Sequence, residues 1–189
     1  MNIQKLKAMK RIKEEFKDLN REPISNIGAT VGLFDENNIF EWHSSLLGPK
    51  DSSYNGGLYY MKIKFQYNYP ETPPEICFRN PIYHINVNPF KPNKDGDESL
   101  GHVSLNIWKY WKPEYTIKEV LSLLFVCLTR PNPDCSDNYG LERANEFRNN
   151  KALYDEKVKY FTKKYASPID FQNYFNIDSD WDFSVNLKI

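Results

Sequence analysis

Cysteine is scarce, and it is not patterned for pairing: Cys77, Cys127 and Cys135 are an odd number with no C-x-x-C spacing among them. That argues against a disulfide framework or a thiolate zinc site and fits a reducing compartment. Net charge is also missing, because 25 basic and 25 acidic side chains cancel. The global positive footprint of a nucleic-acid binder is therefore absent, although local basic patches remain open. No apolar run approaches the length of a membrane span, and the segment after Met1 is polar and charged, unlike a secretory leader. Cytosol or nucleus is the expected compartment, with neither nucleic acid nor membrane as a partner and no metal or cofactor.

What the chain does have is core-forming material: 40% of its 189 residues are apolar, enough for one domain. Between Asn2 and Leu19, the residues Leu6, Met9, Ile12, Phe16 and Leu19 recur at helical spacing, while Lys5, Lys7, Lys10, Arg11, Lys13 and Lys17 decorate the remainder. Pro23 ends that helix. Strand patterns follow at Ala29 to Phe34, Ile39 to Leu47, Leu58 to Phe65 and Glu75 to Phe78, joined by turn-rich segments, so an antiparallel meander is predicted. Thr116-Ile117-Lys118-Glu119 reads as a capping box opening a helix to about Thr129. Its nearly all-round apolar surface makes it the central helix, stopped by Pro131 and Pro133. Two more helices are predicted, roughly Tyr139 to Asn149 and Lys151 to Ala166. From Ser167 onward aspartates alternate with aromatics, so residues 1–166 form the predicted domain and 167–189 an acidic-aromatic tail. That tail either packs back on the domain or serves as a short partner-binding motif.

One stretch carries landmarks that a generic fold does not need. It runs from Tyr67-Asn68-Tyr69-Pro70-Glu71-Thr72-Pro73-Pro74 through Pro81-Ile82-Tyr83-His84-Ile85-Asn86 to Gly101-His102-Val103-Ser104-Leu105-Asn106-Ile107, then Trp111-Lys112-Pro113 and Pro131-Asn132-Pro133-Asp134. In this order the landmarks resemble the catalytic core of the ubiquitin-conjugating enzymes, which accept ubiquitin or a ubiquitin-like protein from an activating enzyme and pass it to a lysine. The resemblance spans about Ile3 to Ala166. It implies an α/β (α+β) ubiquitin-conjugating fold: an N-terminal helix, a four-stranded antiparallel meander, a central helix and two C-terminal helices. Its implied partners are ubiquitin or a ubiquitin-like protein, an activating enzyme and a ligase, with the chain itself a monomer.

Residue by residue, the resemblance puts Ser104 at the position of the thioester-forming cysteine. Asn86 matches the asparagine of the family's histidine-proline-asparagine motif, and His84 its structural histidine, with Ile85 in place of the proline. Cys135, just after Asp134, takes the gate position beside the active site. Lys5, Lys10, Arg11 and Lys13 become candidates for docking the activating enzyme, although the charge run reads equally as a solvated helix face. Pro70, Glu71 and Pro73, with Trp111, Pro113 and Glu114, become the ligase-binding loops. Relatives often carry an apolar residue where Glu71 stands, so no ligase preference carries over. The stretch Val87 to Leu100 is longer than in relatives and reads as an inserted lid or recognition loop, while the spacing from Ser104 to Trp111 is one residue shorter.

The serine decides the chemistry. A thiol with a pKa near 8.5 supplies thiolate near neutral pH and forms a thioester that still reacts with amines; an alcohol without an adjacent base is a weak nucleophile. Thioester transfer by this chain is therefore expected to be absent or nearly so. Three accounts of Ser104 stand open: an exchange engineered to trap a stable ester, a natural non-catalytic member that binds ubiquitin or a ligase as an adaptor, or transfer of the nucleophile's role to Cys135. Cys77 and Cys127 read as small core residues.

Overall fold

The computed structural model of the chain describes residues 3–88, 101–135 and 140–166, and the side chains of Asn106 and Cys135 stand outside that description. Of the stretch 87–100 read as an insertion, residues 89–100 lie outside the described residues, as does the segment 167–189. Helix α1 (Ile3–Arg21) leads into four strands, β1 (Thr30–Leu33), β2 (Glu41–Leu47), β3 (Leu58–Lys64) and β4 (Glu75–Phe78). They pair antiparallel in the order β1-β2-β3-β4, the predicted meander. Among the described residues four α-helices follow: α2 (Asn106–Lys109), α3 (Ile117–Thr129), α4 (Leu141–Asn149) and α5 (Lys151–Tyr165).

Strand alternation decides which sheet face carries the core. Trp42, Leu46, Tyr59, Met61, Ile63, Ile76 and Phe78 are buried, as a half-buried meander requires. Trp42 is pinned from two sides, by Phe16 of α1 at 5.1 Å and Phe65 at 4.8 Å between ring centroids, and its indole N–H donates to Ile39 O at 2.9 Å. Helix α3 buries Ile117, Val120, Leu121, Leu124 and Leu128, so it is the central helix. Thr116 and Glu119 form the predicted capping box.

Helix α1 sits rotated from its predicted orientation. Its buried row is Ala8, Ile12, Glu15 and Leu19, with Met9 and Phe16 flanking, while the predicted Leu6 remains 43% exposed. Spacings of four, three and four are those of one helical face, and the carboxylate within that face is tolerated because it is fully partnered. Tyr69 O–H donates to Glu15 Oε1 at 2.6 Å, the Arg11 guanidinium reaches the same oxygen at 2.6 Å, and the Ile117 N–H donates to Oε2 at 2.7 Å. Glu15 thus joins α1, the Tyr69 loop and the N-terminus of α3, where a negative charge is also favoured by the helix dipole.

At the other end, buried Asn80 accepts the Tyr60 N–H at 2.9 Å and donates to Leu58 O at 3.0 Å and Tyr165 O at 3.1 Å. It ties the edge of β3 to the last turn of α5.

Candidate active site

Ser104 lies on a segment gripped from both sides by main-chain bonds. Gly101 turns into it at φ +75°, the left-handed region that glycine reaches without steric cost. On one side Phe78 N–H donates to Gly101 O at 2.8 Å and Val103 N–H to Ile76 O at 3.0 Å, which extends β4 outward. On the other, Asn88 N–H donates to His102 O at 2.9 Å and Ser104 N–H to Asn86 O at 2.8 Å. The segment is therefore a short fifth rung between β4 and the loop 86–88. Val103 is buried in the core and Ser104 is half-buried. Helix α2, which the sequence reading did not anticipate, follows two residues later and is anchored by the Trp108 indole N–H to Val103 O at 2.9 Å.

His84 sits beneath this segment, fully buried. Its Nδ1 accepts the Asn86 N–H at 3.0 Å, so Nε2 carries the proton and donates to Cys127 O of α3 at 3.1 Å. Burial is the main influence on its pKa and pushes it down to about 4, because desolvation disfavours the imidazolium; the positive charge of Arg143 acts in the same direction. Both ring nitrogens are committed, so His84 is a bracket between α3 and the Asn86 loop rather than a base. Asn86 is buried at 3% exposure, with its carbonyl holding Ser104. Ile85 is completely buried and serves the core. Among the described residues, no histidine, carboxylate or amine hydrogen-bonds the Ser104 hydroxyl.

The residues expected at the gate, Asp134 and Cys135, are only partly described. Pro133–Cys135 forms a single 3-10 turn, in which the Asp134 N–H donates to Asn132 Oδ1 at 3.0 Å and the exposed Asp134 carboxylate pairs with Arg148 at 2.6 Å. The Cys135 side chain lies outside the described residues.

The two loops expected to bind ligases meet in one corner. The Trp111 indole N–H donates to Pro70 O at 2.7 Å, and its ring packs against Tyr69, Trp108 and Tyr115. Glu71 and Glu114 are exposed, while Pro70, Pro73 and Pro113 are half-buried. The four candidate docking cations differ in situation. Lys10 and Lys13 are exposed, with Lys10 3.9 Å from Glu14, and Lys5 lies over the Tyr67 ring at 4.1 Å. Arg11 has a structural task instead: besides Glu15, its guanidinium donates to Tyr115 O at 3.0 Å, joining α1 to the Trp111 loop.

Sequence reasoning missed Glu15 and Asn80. For Glu15 a signal existed, a lone carboxylate in register with Ala8, Ile12 and Leu19. For Asn80 there was none, since its partners lie 20, 22 and 85 residues away along the chain. Cys77 and Cys127 are half-buried, and burial pushes the Cys77 thiol up to about 11, in keeping with an inert packing role. Compared with known protein families, residues 11–162 match the model of the ubiquitin-conjugating enzymes.

Proposed function

Because the chain belongs to the ubiquitin-conjugating enzyme family, we propose that it works at the conjugating step with its frame intact and its nucleophile exchanged at Ser104. In this reading it engages a ubiquitin-type modifier, an activating enzyme and a ligase, but does not pass the modifier through a thioester. The observation that carries the reading is the grip on Ser104, whose N–H bonds Asn86 O at 2.8 Å in a segment tied to β4, while its hydroxyl meets no base among the described residues. The backbone is prepared for an acceptor; the atom on it is a poor one. The compartment that goes with this reading is cytosol or nucleus.

A charging reaction with activating enzyme, ATP and ubiquitin, run on this chain and on Ser104→Cys, tests it. In the variant, Sγ attacks the carbonyl of the activating enzyme's thioester, a new S–C bond forms, and the activating enzyme leaves as its thiol. A reductant-sensitive adduct in Ser104→Cys alone is the expected result. A reductant-sensitive adduct on the unaltered chain would transfer the role to Cys135. No adduct on either, with ubiquitin or ligase binding retained, favours the second reading, an adaptor without transfer chemistry, to which a hydroxyl that meets no base among the described residues also lends support.

A further inference from the structure

A groove of about 590 Å³ opens on the flank of the domain, between the loop after Gly48, the end of α3 and the first half of α5. That is room for two or three large side chains. Half-buried Pro131 and Phe147 give it apolar surface, and Leu128, Tyr54 and Tyr154 line it from almost fully buried positions. Its rim is basic: Lys50, Arg130, Lys151 and Lys159 against the two carboxylates of Asp51 and Asp155, one of which is paired with Lys151 at 2.5 Å. All four cations are exposed. The groove asks for an occupant that is both acidic and aromatic.

The chain itself supplies that chemistry. Residues 167–189 contain Asp170, Asp178, Asp180 and Asp182 against the single Lys188, interleaved with Phe171, Tyr174, Phe175, Trp181 and Phe183. We infer that the segment 167–189 docks into this groove of its own domain, seating aromatic side chains against Pro131 and Phe147 and its aspartates on the lysine and arginine rim.

Reach and complementarity both support it. The chain leaves α5 at Ala166, whose carbonyl accepts the Leu58 N–H at 2.7 Å. Lys159 lies seven residues back along the helix, roughly 10 Å at the helical rise. Twelve extended residues span up to about 40 Å, so Asp178 to Phe183 reach the groove without strain. Behind the groove, buried Tyr54 and Tyr154 border the active-site scaffold. Tyr54 O–H donates to Tyr83 O at 2.8 Å and lies 3.2 Å from the Tyr154 hydroxyl, and Tyr83 immediately precedes His84, the bracket for Asn86 and Ser104. This inference does not depend on the conjugating role, and its test reads docking alone.

The test uses the full chain labelled with fluorotryptophan. Trp42, Trp108, Trp111 and Trp181 are its four tryptophans, with the Trp181 signal assigned by Trp181→Phe. At about 0.05 M salt the Trp181 fluorine signal is expected away from its position in the free 167–189 peptide. Raising salt to about 0.5 M, which shortens the screening length several-fold, should move it toward that position. The double variant Lys151→Glu, Lys159→Glu should do the same at low salt, with the three core tryptophan signals unmoved as the control for folding. A Trp181 signal coincident with the free peptide in the unaltered chain would overturn the inference. So would a distinct signal that neither salt nor charge reversal moves, or one that shifts with protein concentration, since the occupant would then be a second copy.

Discussion

The acceptor segment and the Tyr69–Trp111 corner lie on either side of Trp108, and they are held by different kinds of bonds. The corner is fixed by side chains: Glu15 takes Tyr69, Arg11 and the Ile117 N–H, and Trp111 bonds Pro70 O. Ser104 is fixed by its main chain, between β4 and the Asn86 loop, with the His84 imidazole as a bracket underneath. A position held by its backbone tolerates exchange of its side chain, whereas a position held by its side chain does not. An exchange of the side chain at position 104 thus leaves in place the main-chain bonds that hold the segment.

The sharpest way to strain this contrast is to remove the corner's hub. Glu15→Ala leaves the Arg11 charge, the Tyr69 hydroxyl and the α3 N-terminus without their partner, and should lower stability by about 3–5 kcal/mol. Urea unfolding reads it, and a loss under about 1 kcal/mol would mean that water replaces the carboxylate.

His84 gives a pH-dependent version. Its folded pKa is depressed to about 4 while the unfolded chain takes up a proton near 6.5, so the folded state binds fewer protons in that window. Stability should therefore fall as pH drops from about 6.5 to about 4, by roughly 3 kcal/mol. His84→Gln should flatten that part of the profile, and an unchanged slope would assign the acid sensitivity to other groups.

Next comes Trp111→Phe, which keeps the ring but deletes the N–H to Pro70 O; about 1 kcal/mol of stability is expected to go. A ligase that reads both loops together should bind the variant more weakly. Smallest of all is Ser104→Cys, expected within about 0.5 kcal/mol of the unaltered chain, because no side-chain bond to a described residue is exchanged. A loss of several kcal/mol would break the contrast outright.

Much of this was legible in the sequence. The meander, the capping box at Thr116 and the helix breaks at Pro131 and Pro133 follow from local patterning, and those elements appear within a residue or two of their predicted bounds. The landmarks from Tyr67 to Asp134 carried the family because prolines and aromatics in a fixed order are informative without any contact map. The register of Glu15 with Ala8, Ile12 and Leu19 could be read, but its partners could not, since Tyr69 and Ile117 lie 54 and 102 residues away in sequence. For the same reason Arg11 looked like one more surface cation. The short helix α2 was missed because four residues carry too little periodicity; a tertiary bond from Trp108 to Val103 O anchors it. Most of the stretch 87–100, read as an inserted loop, and all of the tail 167–189 lie outside the described residues.

The most direct test of the central claim is charging of Ser104→Cys with ubiquitin, activating enzyme and ATP, read with and without reductant beside the unaltered chain. An intact frame with an exchanged nucleophile predicts a reductant-sensitive adduct in the variant and none in the parent. No adduct in a folded Ser104→Cys would contradict it, and would mean that the backbone around position 104 no longer presents an acceptor.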